Sequence, residues 1–130
     1  MGIYFKWDNP DRQDILLFVI QTPWTWQEYD DAATQAFALL AQQQHPVANI
    51  VEATHAGRLP PGNPLPHLRR VYQQMPPNMT ASVVVGASPT IRLFVNVLTG
   101  IYPRAKRLAR FTATIDEARA IINEQHLVVE

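Results

Sequence analysis

Four times in this chain, an apolar run of strand length is followed by a helix-opening signal. "ILLFVI" (15–20) leads to Thr25 with Glu28 three residues on, and "VANIVEA" (47–53) leads to Asn63 and Pro64. "TASVVVGA" (80–87) leads to Ser88 and Pro89, and "LARFTAT" (108–114) ends on Thr114 with Glu117 after it. Ser, Thr and Asn accept hydrogen bonds from the free N–H groups of a helix's first turn, and Glu three residues on can return the bond. Pro suits the first helical position because the N–H it lacks has no partner there. Strands that alternate with helices in this way restrict the chain to an α/β fold, with parallel strands joined by right-handed crossovers.

The elements follow from periodicity. Ile3, Phe5 and Trp7 alternate with Tyr4, Lys6 and Asp8, as in a half-buried strand. "NPDRQD" then turns the chain, with Pro10 at a favoured turn position. "ILLFVI" is apolar on both faces and reads as an interior strand, so the first two strands form a hairpin. Tyr29, Ala32, Ala33, Ala36, Phe37 and Leu40 form one face of the first helix. The second helix buries Leu65, Leu68, Val71, Tyr72 and Met75. The third faces inward through Ile91, Phe94, Val95, Leu98, Ile101 and Tyr102 and stops at Pro103. Ala118, Ile121 and Ile122 anchor the last. The expected architecture is one domain over 1–130, in the order β-β-α-β-α-β-α-β-α. It has a five-stranded mixed sheet, an antiparallel edge strand and four main helices.

The chain has no cysteine, which excludes disulfides and thiolate metal sites. No apolar run approaches the ~20 residues of a membrane span. "MGIYFKWDNP" lacks the basic start and apolar stretch of a signal peptide, so a cytoplasmic protein is expected. Net charge is zero, but the charges are segregated. Residues 1–56 carry two cations against seven acids, residues 57–110 carry eight cations and no acid, and residues 111–130 carry one cation against four acids. Such blocks either form an anion-facing surface or cancel on folding. Arg104, Lys106 and Arg107 fall on a turn in "YPRAKRLAR" and are candidate contacts for an acidic partner, with Leu108 and Phe111 turned into the core. Nucleic acid is a weak candidate, because the basic footprint is small.

Catalytic patterns are scarce. None of the four histidines shows metal spacing. Glu52, His55 and His67 are the one combination that folding could bring together for acid–base work. Ser88 lies on a strand-to-helix turn, but "VVVGASPTI" lacks the second glycine of a nucleophile elbow, so it reads as a cap. There is no phosphate-binding glycine loop. No catalytic residue, cofactor or metal is expected. Trp24 is either one half of a hydrophobic staple with Tyr29 or, like Trp26, a surface for stacking a ligand. Tyr72 and Tyr102 join them as candidate ligand contacts, as do Thr54, His55, Asn63 and Ser88 near the helix starts. The many aromatics of the N-terminal part (Tyr4, Trp7, Trp24, Trp26) raise the option of a homodimer.

A hairpin followed by three βα steps resembles the STAS superfamily of bacterial anti-sigma-factor antagonists, and most of all its SpoIIAA-like branch of small stand-alone bacterial proteins. The likeness is carried by Val85-Gly86 at a strand end, the basic segment Arg104–Arg107, Phe111, and Glu117-Ala118-Arg119 at an acidic helix start. In phospho-switched members, a serine at the start of the helix after the third strand accepts phosphate. Here the matching position reads Gly62-Asn63-Pro64, and no Ser, Thr or Tyr occurs from His55 to Val71. The resemblance therefore implies a non-catalytic regulatory or protein-interaction module without the phospho-acceptor. The alternative is a binder or carrier of a small apolar or anionic ligand.

Overall fold

The computed structural model describes residues 2–129, excluding the side chains of 127–129. β1 (Ile3–Trp7) and β2 (Ile15–Ile20) form the expected antiparallel hairpin, with Ile3 opposite Ile20 and Trp7 opposite Leu16. Then come α1 (Trp26–Ala41), β3 (Val47–Glu52), α2 (Pro64–Gln74), β4 (Met79–Val85) and α3 (Pro89–Ile101). α4 (Pro103–Leu108), β5 (Ala109–Thr112) and α5 (Ile115–Val129) complete the chain. The strands make one mixed five-stranded sheet in the order β1-β2-β3-β4-β5, with β2 to β5 parallel.

Each crossover advances one strand in the same direction. Right-handed connections then place every crossover helix on one face of the sheet. Side chains of a strand alternate between faces, and the two cores record this. Leu16, Phe18 and Ile20 of β2 pack with Phe37 and Leu40 of α1, Leu68 of α2 and Leu98 of α3. Ile15, Leu17 and Val19 belong to a second cluster with Ala118 and Ile122 of α5. The sheet is thus covered on both faces, which is why "ILLFVI" is apolar throughout.

Each predicted cap residue accepts a hydrogen bond from the first turn of its helix. Thr25 Oγ1 accepts from the Glu28 N–H at 3.1 Å, and the Trp24 and Tyr29 rings lie 6.0 Å apart as a staple. Asn63 Oδ1 accepts from Leu65 N–H, and Ser88 Oγ from Ile91 N–H. Thr114 and Glu117 cap each other's backbone N–H.

Some expectations change. Among the described residues there are five helices rather than four, because Pro103 opens a helix instead of only stopping one. Tyr102 is extended (φ −110°, ψ 113°), so α3 ends there and Pro103 takes the first position of α4. Arg104, Lys106 and Arg107 therefore lie on a helix and not on a turn, and Leu108 ends α4 rather than starting the strand. Leu108 is buried as expected, while Phe111 is half-buried under the Arg92 guanidinium, 5.1 Å from its ring centre. Ile101 points outward at 63% exposure. The buried stripe of α3 runs through Val95 and Leu98 toward Tyr102, and Ile101 is offset by one residue, about 100° around the helix. It joins Leu93 and Val97 on an exposed apolar ridge.

Candidate functional site

A cavity of about 250 Å³ lies between the sheet and helices α1, α2 and α3. Its floor is the face of the central strands that α1, α2 and α3 cover: Phe18 of β2, Asn49 and Val51 of β3, Ser82 and Val84 of β4. Tyr29, Ala33 and Ala36 of α1 form one wall, and Leu68 and Tyr72 of α2 another. Ile91 and Val95 of α3 close the third side. Exposed Thr54, Gly57 and Ser88 place its upper end at the C-terminal edge of the strands. Open α/β sheets usually bind ligands where the strand order reverses. This sheet never reverses, and its space lies under the helices instead. The void exists because the wall positions of α1 and the rim are small: Ala33, Ala36, Ala53, Ala56, Gly57 and Gly86.

The two tryptophans fix the rim. Trp24 Nε1–H donates to the Ala56 carbonyl at 2.8 Å, and Trp26 Nε1–H to the Pro60 carbonyl at 3.2 Å. They tie the proline-rich loop between β3 and α2 to the start of α1. Trp26 also stacks on His67, with ring centres 4.5 Å apart and planes within 5°. Gly86 has φ +68°, and a Cβ there would collide with Thr54 Oγ1, so only glycine lets β4 end beneath this loop.

Among the described residues, no Asp, Glu, Lys, Arg or His lines the cavity. Burial pushes the Tyr29 phenol well above its usual range, helped by Tyr72 and then Asp30, and burial alone pushes Tyr72 up to about 12. Both remain neutral hydroxyls. The ion pairs of Asp30 with His67 and with Arg70, each 2.9 Å, lie outside the lining, behind Trp26. Within the floor, Asn49 and Ser82 are register partners on adjacent strands, each 6% exposed. Asn49 Oδ1 is buried and has no hydrogen-bond partner.

The candidate residues named from sequence divide into groups. Trp24, Trp26, Thr54 and Ser88 line the cavity, as does Tyr72, whereas Tyr102 does not. His55 is exposed, and its carbonyl accepts from Thr22 N–H. Asn63 is a helix cap outside the lining. Glu52, His55 and His67 do not assemble. His67 is held by Asp30, and Glu52 accepts from Thr54 N–H at 2.7 Å. Among the described residues, no group of three His, Asp or Glu is placed to hold a metal ion. Arg104 is half-buried, and its guanidinium donates to the Met75 carbonyl at 2.6 Å and to the Pro76 carbonyl, closing the C-terminal end of α2. Lys106 and Arg107 are exposed. Trp24 and Trp26 are each 8% exposed, so they supply no self-association patch, and Tyr4 is 46% exposed.

One hydroxyl–imidazole–carboxylate line was not foreseen. Thr80 Oγ1 lies 2.9 Å from His126 Nε2, and His126 Nδ1 lies 3.5 Å from Asp14. Thr80 Oγ1 is also within 3.3 Å of the Val47 carbonyl, and Asp14 is engaged by Arg12 at 2.8 Å. The line ties α5 to the strand starts, at the end of the sheet opposite the cavity rim. Sequence reasoning did not single out Asn49 and Ser82, the two buried polar residues of the cavity floor. Their signal was present as polar residues inside otherwise apolar strand runs.

The chain matches no family model and no curated protein. Among the described residues, no helix is long and apolar enough to cross a membrane.

Proposed function

We propose that this protein is a non-catalytic, STAS-like module of the SpoIIAA-like kind that binds a small apolar ligand between its sheet and its crossover helices. The observation that carries the reading is the 250 Å³ cavity with a mostly apolar lining. Well-packed interiors contain few voids larger than a water molecule, and each costs stability. A space of this size, with a rim pinned by two indole hydrogen bonds, fits a binding site better than a packing defect. The strand order and the antiparallel edge hairpin support the STAS-like reading. So does the place of Asn63 at the start of α2, where it caps the helix and offers no hydroxyl for phosphate. Ligand occupancy is what such a module has available to signal to a partner protein.

The test is a titration of the purified protein with naphthalene, read by tryptophan fluorescence, since Trp24 and Trp26 line the site. Saturable quenching that disappears when Ala36→Leu fills the cavity is the expected result. Absence of binding by calorimetry and by fluorescence would overturn the reading. Native mass spectrometry of protein purified from its own host then identifies the occupant by mass.

A further inference from the structure

We propose that the ligand is a neutral molecule of about two fused rings carrying an N–H or O–H group, and that this group donates to Asn49 Oδ1 on the cavity floor. The inference rests on reading the cavity as a ligand site and adds the chemistry of its occupant.

The argument starts from a cost. A buried acceptor without a partner destabilises a protein, because the desolvation of its lone pairs is not repaid by a hydrogen bond. Asn49 sits at the middle of β3, between strands whose neighbouring residues on this face include Phe18 and Val84. Its side chain is 6% exposed and its Oδ1 is unpaired. Ser82, directly across on β4, is equally buried. A Val at either place would suit the sheet better. Two adjacent polar side chains facing one void are the arrangement of a site that orients its ligand by a few placed polar groups in an apolar pocket.

The lining also sets the charge. An ion moved into an apolar space without a partner is strongly disfavoured. Among the described residues, no cationic or anionic side chain lines the cavity, and the two tyrosines stay protonated. A carboxylate, phosphate or ammonium group therefore has no counter-charge at the floor, which removes the anionic ligand from the two classes the sequence left open. Size follows from comparison: an apolar cavity of about 150 Å³ holds benzene, so 250 Å³ admits a fused bicycle. Water alone is a poor occupant, because each buried water needs two to four polar partners and this lining is mostly carbon.

The test compares three probes of similar shape by calorimetry: indole, with an N–H; indene, with a CH2 in its place; and indole-2-carboxylate, with a charge. The wild-type protein is expected to bind indole about tenfold more tightly than indene, the ratio that corresponds to ~1.4 kcal/mol. It is expected not to bind the carboxylate measurably. Asn49→Leu should reduce the indole-to-indene ratio to about one while retaining indene. The wild-type ratio needs no variant, so the test stands even if Asn49→Leu fails to fold. Indene binding as tightly as indole, or the carboxylate binding comparably, overturns the donor inference and leaves the cavity reading intact. Failure of every probe, naphthalene included, overturns both.

Discussion

Filling the cavity should make the protein more stable and stop it from binding. Ala36 and Ala33 are 3% and 4% exposed, lie on the inner face of α1 and line the void. Replacing either with Leu adds three carbons, roughly 75 Å³ at ordinary packing density. At about 24 cal/mol per Å³ of cavity removed, the gain is about 2 kcal/mol. Leu is a slightly poorer helix former than Ala, by a few tenths of a kcal/mol. Ordering its side chain costs a further ~0.5–1 kcal/mol. The net expectation is about 1 kcal/mol, or roughly 3 °C in Tm for a domain of this length. The assay is paired thermal and urea unfolding of wild type, Ala33→Leu and Ala36→Leu, with naphthalene titration of each. In a normally packed interior the same substitutions overpack and cost ~1–3 kcal/mol. If both variants lose several degrees with an unchanged m-value, the space is not there, and the argument from volume to ligand fails with it.

Other perturbations test separate parts of the structure. Gly86→Ala forces a Cβ into Thr54 at a positive φ and should cost about 1–3 kcal/mol in urea unfolding, whereas Ala87→Gly nearby should cost much less. Trp24→Phe removes the bond to the Ala56 carbonyl and should cost about 1–2 kcal/mol, with faster proteolysis in the loop after β3 as the local readout. Arg104→Glu should lower Tm by several degrees because it leaves two carbonyls at the end of α2 without their donor, while Lys106→Glu and Arg107→Glu should change it by less than about 1 °C. Stability should fall with alkaline pH. Tyr72 titrates near 12 in the folded state, Tyr29 is raised as well, and unfolded tyrosine titrates near 10. Above pH 10 the unfolded chain binds fewer protons than the folded one, so the stability held below pH 10 drains away as pH rises toward 12. Urea unfolding at pH 9 and 11 should show this loss, and the Tyr29→Phe, Tyr72→Phe double variant should show clearly less of it.

The fold was legible because each of its instructions is local. A cap followed by a periodic helix, a run apolar on both faces, and a hairpin with Pro10 in its turn all act within a few residues. Their sum leaves little freedom in topology. The errors arose where neighbours in space decide. Pro103 looks like a stop in sequence, but Tyr102 turns the chain so that the same proline begins α4. Arg104 belongs to a basic run by composition, yet its guanidinium is tied to two carbonyls at the end of α2. The site was legible at its rim and at Tyr72 on one wall. Trp24, Trp26, Thr54 and Ser88 stood out because aromatics and caps near strand ends attract attention. A void has no residue of its own, so a linear pattern can mark it only through the residues around it.

What the sequence did hold was a contradiction inside two strands. Asn49 lies within "VANIVE" and Ser82 within "MTASVVV", each at a position that period two assigns to the helix-covered face. Strand propensity and burial both argue against them. The register sets them side by side, with Ala33 and Ala36 among the wall residues across the same void. A chain selected for stability alone would carry branched apolar residues on the strands and larger ones on α1, closing the gap by ordinary packing. Small residues on the wall and polar residues on the floor each weaken the fold, and together they define one space. Local rules are expected to fail where a protein gives up stability for function. In this chain the two failures meet at a single place, beneath the loop that Trp24 and Trp26 hold shut.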